Sequence, residues 1–287
     1  MRSALAVMVA AVALVSLSAA SASHTRPSRE ALVPNAVAFS DRMHGELGTG
    51  WESCTNRAWH CRPQGTISAT SDGGKTWHVI RRTRRPVVAI TFFHGTYYAE
   101  LDNGRFVLGQ PGSRNVFKGY CPRGWTSGYS ADLADPNIDR PWSICLGEGG
   151  GGGAEAKAIY RGRTRVAYAP LVGKGAYGGI GVGGYPQGIA GAHSGFGIVW
   201  ETRGTLFVTR DGGRHWHARP KLTDHGNDYG QWAYVLSGRV GYAILSPGDT
   251  EKRRLIETTD AGRTWHVVHR WACTARRQRC GDVAGKP

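Results

Sequence analysis

The stretches Thr70-Ser-Asp72-Gly-Gly74-Lys-Thr-Trp77, Thr209-Arg-Asp211-Gly-Gly213-Arg-His-Trp216 and Thr258-Thr-Asp260-Ala-Gly262-Arg-Thr-Trp265 are three copies of one pattern. Each reads hydroxyl, x, Asp, x, Gly, x, x, Trp, and a histidine follows directly (His78, His217, His266). A repeat of this kind bears on architecture before any local propensity does. Each copy reads as a hairpin tip. The carboxylate accepts N–H bonds within the turn, glycine supplies a positive φ, and the indole anchors the returning strand.

The pattern resembles the Asp-box, or BNR repeat, of sialidases, sortilin-type receptors and photosystem II assembly factors of the Ycf48 type. Those families are β-propellers, and the resemblance implies an all-β fold of four-stranded antiparallel blades with the box between the third and fourth strands of a blade. Asp211 and Asp260 lie 49 residues apart, and Asp72 and Asp211 lie 139 apart, close to three such steps. Two degenerate blades are therefore expected in the gap. The first holds three strand-like runs, Val87 to Phe93, Gly95 to Glu100 and Arg105 to Leu108, with a decayed box over Gln110 to Phe117. The second runs from about Tyr129 through Trp142 to Leu146, then Lys157 to Tyr160 and Arg165 to Tyr168. Val37 to Gly45, Ile189 to Gly195 and Ala233 to Gly241 repeat as blade beginnings, each an apolar strand, a polar turn and a glycine. Five blades over residues 34–270 account for nearly all of the chain past its leader. Six or seven, the usual numbers in the resembling families, need units too decayed to see.

Residues 1–22 read as a cleaved secretory signal: Arg2 opens it, an apolar run follows from Ala4, and Ala20-Ser-Ala22 is a small-residue cleavage site. Residues 23–33 form a linker and 271–287 a basic tail. The expected product is secreted, extracellular and monomeric, with no transmembrane segment, since no other run approaches ~18 apolar residues. A bias towards Ala, Gly and Arg points to a bacterial source. The six cysteines suit an oxidising compartment. Fifteen pairings are open to them; keeping each bond within one blade favours Cys54 with Cys61, Cys121 with Cys145 and Cys273 with Cys280. No two lie at the two-to-four-residue spacing of a zinc site.

The formal net charge of +15 favours acidic partners. Its densest run is Arg81, Arg82, Arg84 and Arg85, with a second at Arg276, Arg277 and Arg279. In a propeller the loops joining strands one to two and three to four share one face, which makes Thr70, Asp72, Gly74, Trp77 and their counterparts Thr209, Asp211, Gly213, Trp216, Thr258, Asp260, Gly262 and Trp265 structural. The opposite face collects the loops expected at Trp51 to Gln64, Arg81 to Pro86, Leu146 to Glu155, Gly173 to Gly191 and Lys221 to Gln231. The last is richest in reactive groups: Asp224, His225, Asp228 and Tyr229 suit a cation or a sugar, and Trp232 suits stacking on a ring. The ligand-binding candidates are these five and the four linker arginines.

Other motifs fail on context. Gly179-x-Gly181-x-x-Gly184 has no helix after it and no βαβ frame. Asp132, Asp135 and Asp139 lack the glycine and terminal glutamate of a calcium loop, and Ser194 lacks a nucleophile elbow. No metal or cofactor is assigned.

Two functions remain. The first is a non-catalytic binding or assembly platform of the Ycf48 type for a protein or an anionic glycan or cell-surface polymer, with no specific nucleic acid. The alternative is a sialidase-like exo-glycoside hydrolase. That family uses three arginines on the substrate carboxylate, a tyrosine nucleophile with glutamate, an acid/base aspartate and an Arg-Ile-Pro element. This chain has no Arg-Ile-Pro and no assignable Tyr-Glu pair, so no catalytic residue is named.

Overall fold

The computed structural model describes residues 33–55, 60–93, 95–108, 120–128, 142–146, 157–168, 186–201, 206–219, 228–247, 252–274 and 279–282. The leader, the decayed box at 110–117, the five-glycine run, the Gly179 motif, Asp132, Asp135, Asp139, Asp224 and His225 lie outside them. All regular structure among the described residues is β, and all described pairing is antiparallel.

The strands fall into five sheets in chain order. The first is β1 (Pro34–Phe39), β2 (Gly45–Thr55), β3 (His60–Thr70) and β4 (His78–Thr83). The second is β5 (Val87–Phe93), β6 (Thr96–Leu101) and β7 (Phe106–Leu108). The third is β8 (Thr126–Gly128), β9 (Trp142–Leu146), β10 (Lys157–Arg161) and β11 (Thr164–Tyr168). The fourth is β12 (Pro186–Gly191), β13 (Gly197–Glu201), β14 (Leu206–Thr209) and β15 (His217–Arg219). The fifth is β16 (Asp228–Val235), β17 (Gly241–Pro247), β18 (Lys252–Thr258), β19 (His266–Thr274) and β20 (Arg279–Asp282). Each sheet is a meander in which consecutive strands pair, the cheapest topology for hairpin-connected strands.

In the first sheet, burial falls from the first strand to the fourth. Ala36, Val37, Ala38 and Phe39 of β1 are all buried, an unbroken apolar run with cover on both faces. In β4, His78 to Arg82 are all exposed, and its two arginines suit an outer edge that must resist pairing with another chain. The first strands of four sheets meet one another, β1 touching β5 and β16 and β12 touching β16, and β12 meets the third sheet at β9 and β8. The spatial order is thus second, first, fifth, fourth, third. This is a propeller-like arrangement, with first strands inside and fourth strands outside.

The first and last sheets pack directly. Trp232 Nε1 donates to Val37 O at 2.9 Å, and Tyr234 Oη donates to Phe39 O at 2.9 Å. The Phe39 and Tyr242 rings stack at 3.8 Å. The second tip glycine repeats one inter-sheet contact around the molecule. A Cβ on Gly262 would come within 2.8 Å of Val208 on the fourth sheet, one on Gly213 within 2.8 Å of Val166 on the third, and one on Gly74 within 2.8 Å of Leu255 on the fifth. Each tip leans on the preceding sheet, and the first sheet treats the fifth as its predecessor. A positive φ at all three positions adds a second reason for glycine there.

Several expectations change at the ends of strands. The irregular loop expected over Trp51 to Gln64 is mostly the continuation of β2 and β3, whose register sets Cys54 opposite Cys61. In the tail, β20 pairs with β19 and sets Cys273 opposite Cys280, because the chain turns back onto the outer edge of the fifth sheet. The linker beginning at Arg81 starts only after Thr83, as Arg81 and Arg82 belong to β4. The Lys221 to Gln231 loop ends at Asp228, where β16 begins. A disulfide joins Cys121 to Cys145, tying residues before β8 to β9.

Candidate functional site

The three tips share one hydrogen-bond scheme. Thr70 Oγ1 donates to Asp72 Oδ1 at 2.8 Å and accepts from the Gly74 N–H at 3.0 Å. Asp72 then receives the Thr76 N–H at 2.9 Å and the Thr76 hydroxyl at 2.6 Å. Thr258, Asp260, Gly262 and Thr264 repeat this with distances of 2.9, 2.8, 2.9 and 2.6 Å. In the third copy Thr209 donates to Asp211 and accepts from Gly213, and His215 takes the place of threonine, pairing its Nδ1 with Asp211 Oδ2 at 2.6 Å. The Trp216 indole closes its turn by donating to Gly213 O at 2.9 Å.

Each tip also docks on the loop between the first two strands of its own sheet. The N–H after the aspartate donates to a carbonyl two residues before the glycine that opens the second strand: Gly73 to Met43 at 2.9 Å, Gly212 to Gly195 at 3.0 Å, Ala261 to Arg239 at 2.8 Å. Both loop sets therefore occupy one end of the molecule.

The electrostatics of the tips follow from these bonds. Partial burial works against the Asp72 charge, but the Thr76 hydroxyl and N–H, the Thr70 hydroxyl and the Lys75 N–H outweigh it and hold the pKa at about 2. At Asp211, burial is likewise outweighed, by the His215 N–H and ring, the Thr209 hydroxyl and the His215 charge, again to about 2. Asp260 is lowered further by the same pattern of donors. A carboxylate so bound is fixed as an acceptor and is a poor proton carrier.

The tip end also holds a tyrosine–carboxylate pair. Tyr242 Oη donates to Glu257 Oε1 at 3.1 Å, Arg42 Nε lies 3.3 Å from the same oxygen, and His266 Nε2 lies 2.8 Å from Oε2. Burial and the Glu257 charge push the Tyr242 phenol well above its ordinary value. Its ring is covered by Phe39, so this pair belongs to the joint between the first and last sheets.

At the opposite end the arginine run divides. Arg81 donates to Val107 O of β7, and Arg85 forms a two-toothed ion pair with Asp102 through Nε and Nη2. Both tie the first sheet to the second. Arg82 and Arg84 stay exposed. The structure does not present the four as one uniform patch, because strand alternation and the turn at 84–85 send them in different directions.

Trp232 requires a correction. It is 8% exposed, its N–H is committed to Val37 O, and its ring lies against Trp200 at 5.8 Å. Its position in β16, between sheets, leaves no open face for stacking. Asp228 and Tyr229 lie at the start of β16.

Sequence reasoning missed a repeated feature at this end. The first strand of four sheets carries a register break near its start: between Pro34 and Ala36, Val87 and Ala89, Pro186 and Gly188, and Gly230 and Trp232. The extra residues are Asn35, Val88, Gln187 and Gln231. They are the residues of these segments that reach solvent, between buried neighbours such as Ala36, Val87, Gly188 and Trp232. The signal was a proline or glycine before a carboxamide, Pro34-Asn35, Pro186-Gln187 and Gly230-Gln231. Beside them, Arg253 Nη1 donates to Pro34 O at 2.7 Å, and burial lowers this guanidinium to about 10.

Among the described residues, no cluster of three metal-ligating side chains occurs, and no helix is long and apolar enough to cross a membrane. No known family profile and no curated protein sequence matches the chain. Solved structures that it resembles include Ycf48 bound to a D1 peptide, at 11% identity and TM-score 0.31, covering 83% of this chain and 83% of that one. Ycf48 from Cyanidioschyzon merolae matches at 12% identity and TM-score 0.36, covering 83% and 98%. The soluble aldose sugar dehydrogenase of Escherichia coli, in its apo form, matches at 11% and 0.31, covering 77% and 80%. At these scores the propeller reading stands on the sheets and their interfaces in this chain.

Proposed function

We propose that this protein is a secreted five-bladed propeller, exported on residues 1–22, that works as a non-catalytic binding or assembly platform for a protein or an anionic polymer. The observation that carries the reading is where the reactive groups are spent. The three tip aspartates are saturated by their own turns, and Tyr242 and Glu257 are buried at the joint between two sheets. The repeated contact of Gly262, Gly213 and Gly74 with a preceding sheet supports five blades, with the first closing on the fifth.

A hydrolase needs a nucleophile and a proton donor open to substrate. The purified protein is expected to leave fluorogenic sialosides and aryl glycosides at the rate of a no-enzyme control. Turnover abolished by changing one tyrosine and one glutamate would overturn the platform reading. Export is checked separately, by an N-terminus at Ser23 in protein recovered from the medium.

A further inference from the structure

A strand that lines the axis of a propeller has one neighbour within its own sheet and packs against adjacent blades on both faces. Its side chains therefore have almost no route to water. In β1, β5, β12 and β16 that rule is broken at the same place, the residue inserted by a bulge near the strand start. Bulges re-aim a side chain and recur beside functional sites. Here the backbone device recurs four times while its cargo is Asn35, Val88, Gln187 and Gln231. Three of the four are carboxamides, which offer a donor and an acceptor each without a charge.

All four strands run towards the tip end, so these residues share the opposite end, where the first strands converge. Asn35 spans from β1 to β5 by donating its Nδ2 to Val87 O at 3.1 Å. That leaves its carbonyl oxygen as an acceptor. Arg253 reaches Pro34 O from the start of β18 in the fifth sheet, so it stands next to Asn35. Among the described residues its hydrogen-bond partner is a neutral carbonyl, and burial accounts for the lowering of its pKa. A guanidinium that donates to a neutral carbonyl keeps its full charge and favours an anion that brings its own negative charge.

The chemistry of an occupant follows. Carboxamides match the alternating N–H and C=O groups of an extended backbone. Val88, 40% exposed, offers apolar contact to a side chain, and Arg253 takes a carboxylate. A sugar ring would want an aromatic face, but Trp232 and Trp200, two indoles beside the bulges, are both buried in the core. We propose that the mouth formed by the starts of the first strands, opposite the tips, is a binding site for an extended acidic peptide segment, its backbone held by Asn35, Gln187 and Gln231 and a carboxylate by Arg253. This rests on the platform reading and on closure of the ring.

The test uses fluorescence anisotropy with a fluorescein-labelled peptide of alternating glycine and glutamate, and the purified full chain. The Gln187→Ala/Gln231→Ala pair lies on partly exposed positions and is expected to weaken binding by about tenfold or more at physiological salt, with an unchanged thermal midpoint. A peptide of alternating glycine and glutamine is expected to bind more weakly than the acidic one. Arg253→Met is expected to erase that preference between the two peptides. As a charge control, Arg82→Ser/Arg84→Ser is expected to change affinity by less than threefold or so.

Three results would overturn the proposal: no binding of the acidic peptide by the unaltered protein, equal affinity in the Gln187→Ala/Gln231→Ala variant, or tighter binding of an oligouronate that survives in that variant. If the arginine control alone abolished binding, the partner would be held by the outer edge and the mouth assignment would fall. None of these outcomes touches the hydrolysis assay, so failure of the mouth and failure of the platform reading are told apart.

Discussion

The two ends of the molecule use repetition differently. At the tip end, backbone and side chains repeat together: threonine, aspartate and glycine recur with the same hydrogen bonds to within a few tenths of an ångström. At the opposite end the backbone bulge repeats, but the residue on it changes from Asn35 to Val88 to Gln187 and Gln231. A part whose atoms are all consumed by its own turn is scaffold. A part that repeats a projection into solvent while varying what is projected is free to meet something else. The strongest sequence signal in this chain therefore marks its framework, and the site candidates lie where the signal is weakest.

If the tip end is framework, damage there must show as lost stability. Phe39 is fully buried at the end of β1, stacked on Tyr242 and set edge-on to Trp77 at 6.1 Å. Phe39→Ala is expected to cost about 3–5 kcal/mol, because it opens a cavity where the first and last sheets meet. Chemical denaturation measures it, and a loss below about 1 kcal/mol would mean that the joint does not hold the ring.

Asp211→Ala comes next. It removes the acceptor of the Thr209 hydroxyl and the His215 N–H, and is expected to cost about 1–3 kcal/mol with peptide binding unchanged. Lost binding at full stability would move function to the tips. The same carboxylates set a pH dependence. Their folded pKa values near 2 lie below the ordinary aspartate value of 3.8. Their contribution is thus complete above about pH 5 and is lost as the pH falls through 4 towards 2. Acid unfolding of Asp211→Ala should be shallower across that window.

Glu46 titrates in the opposite sense. Burial lifts it from 4.5 to about 7, and its Oε2 is enclosed without a partner. Ionisation is therefore resisted in the folded state, and stability should decline as the pH rises from about 4.5 to 7. Glu46→Gln is expected to flatten that decline, measured by thermal midpoints across the range. A decline of equal size in the variant would place its origin elsewhere.

The smallest effect belongs to the opposite end. Arg82→Ser/Arg84→Ser touches two exposed side chains and is expected to shift stability by less than about 0.5 kcal/mol. Arg85→Ser, which breaks the pair with Asp102, should exceed it. Equal effects would erase the distinction between structural and exposed arginines in this run.

The sequence by itself determined the all-β class, the three tips and the positions of most strands. Those features depend on residues close together in the chain: an Asp and a Gly two apart within one turn, or an apolar run bounded by glycine. It also suggested pairing Cys121 with Cys145, since both fall within one unit. Tertiary structure decided what depends on contacts between distant segments. Trp232 looked like a stacking platform beside a polar loop, yet Val37, nearly two hundred residues earlier, takes its N–H and places it in the core. Arg81 and Arg85 looked equivalent to Arg82 and Arg84 until β7 and Asp102 claimed them. The bulges left only a proline or glycine before one residue as their trace, because a register break is a relation between two strands and is not written in either one alone.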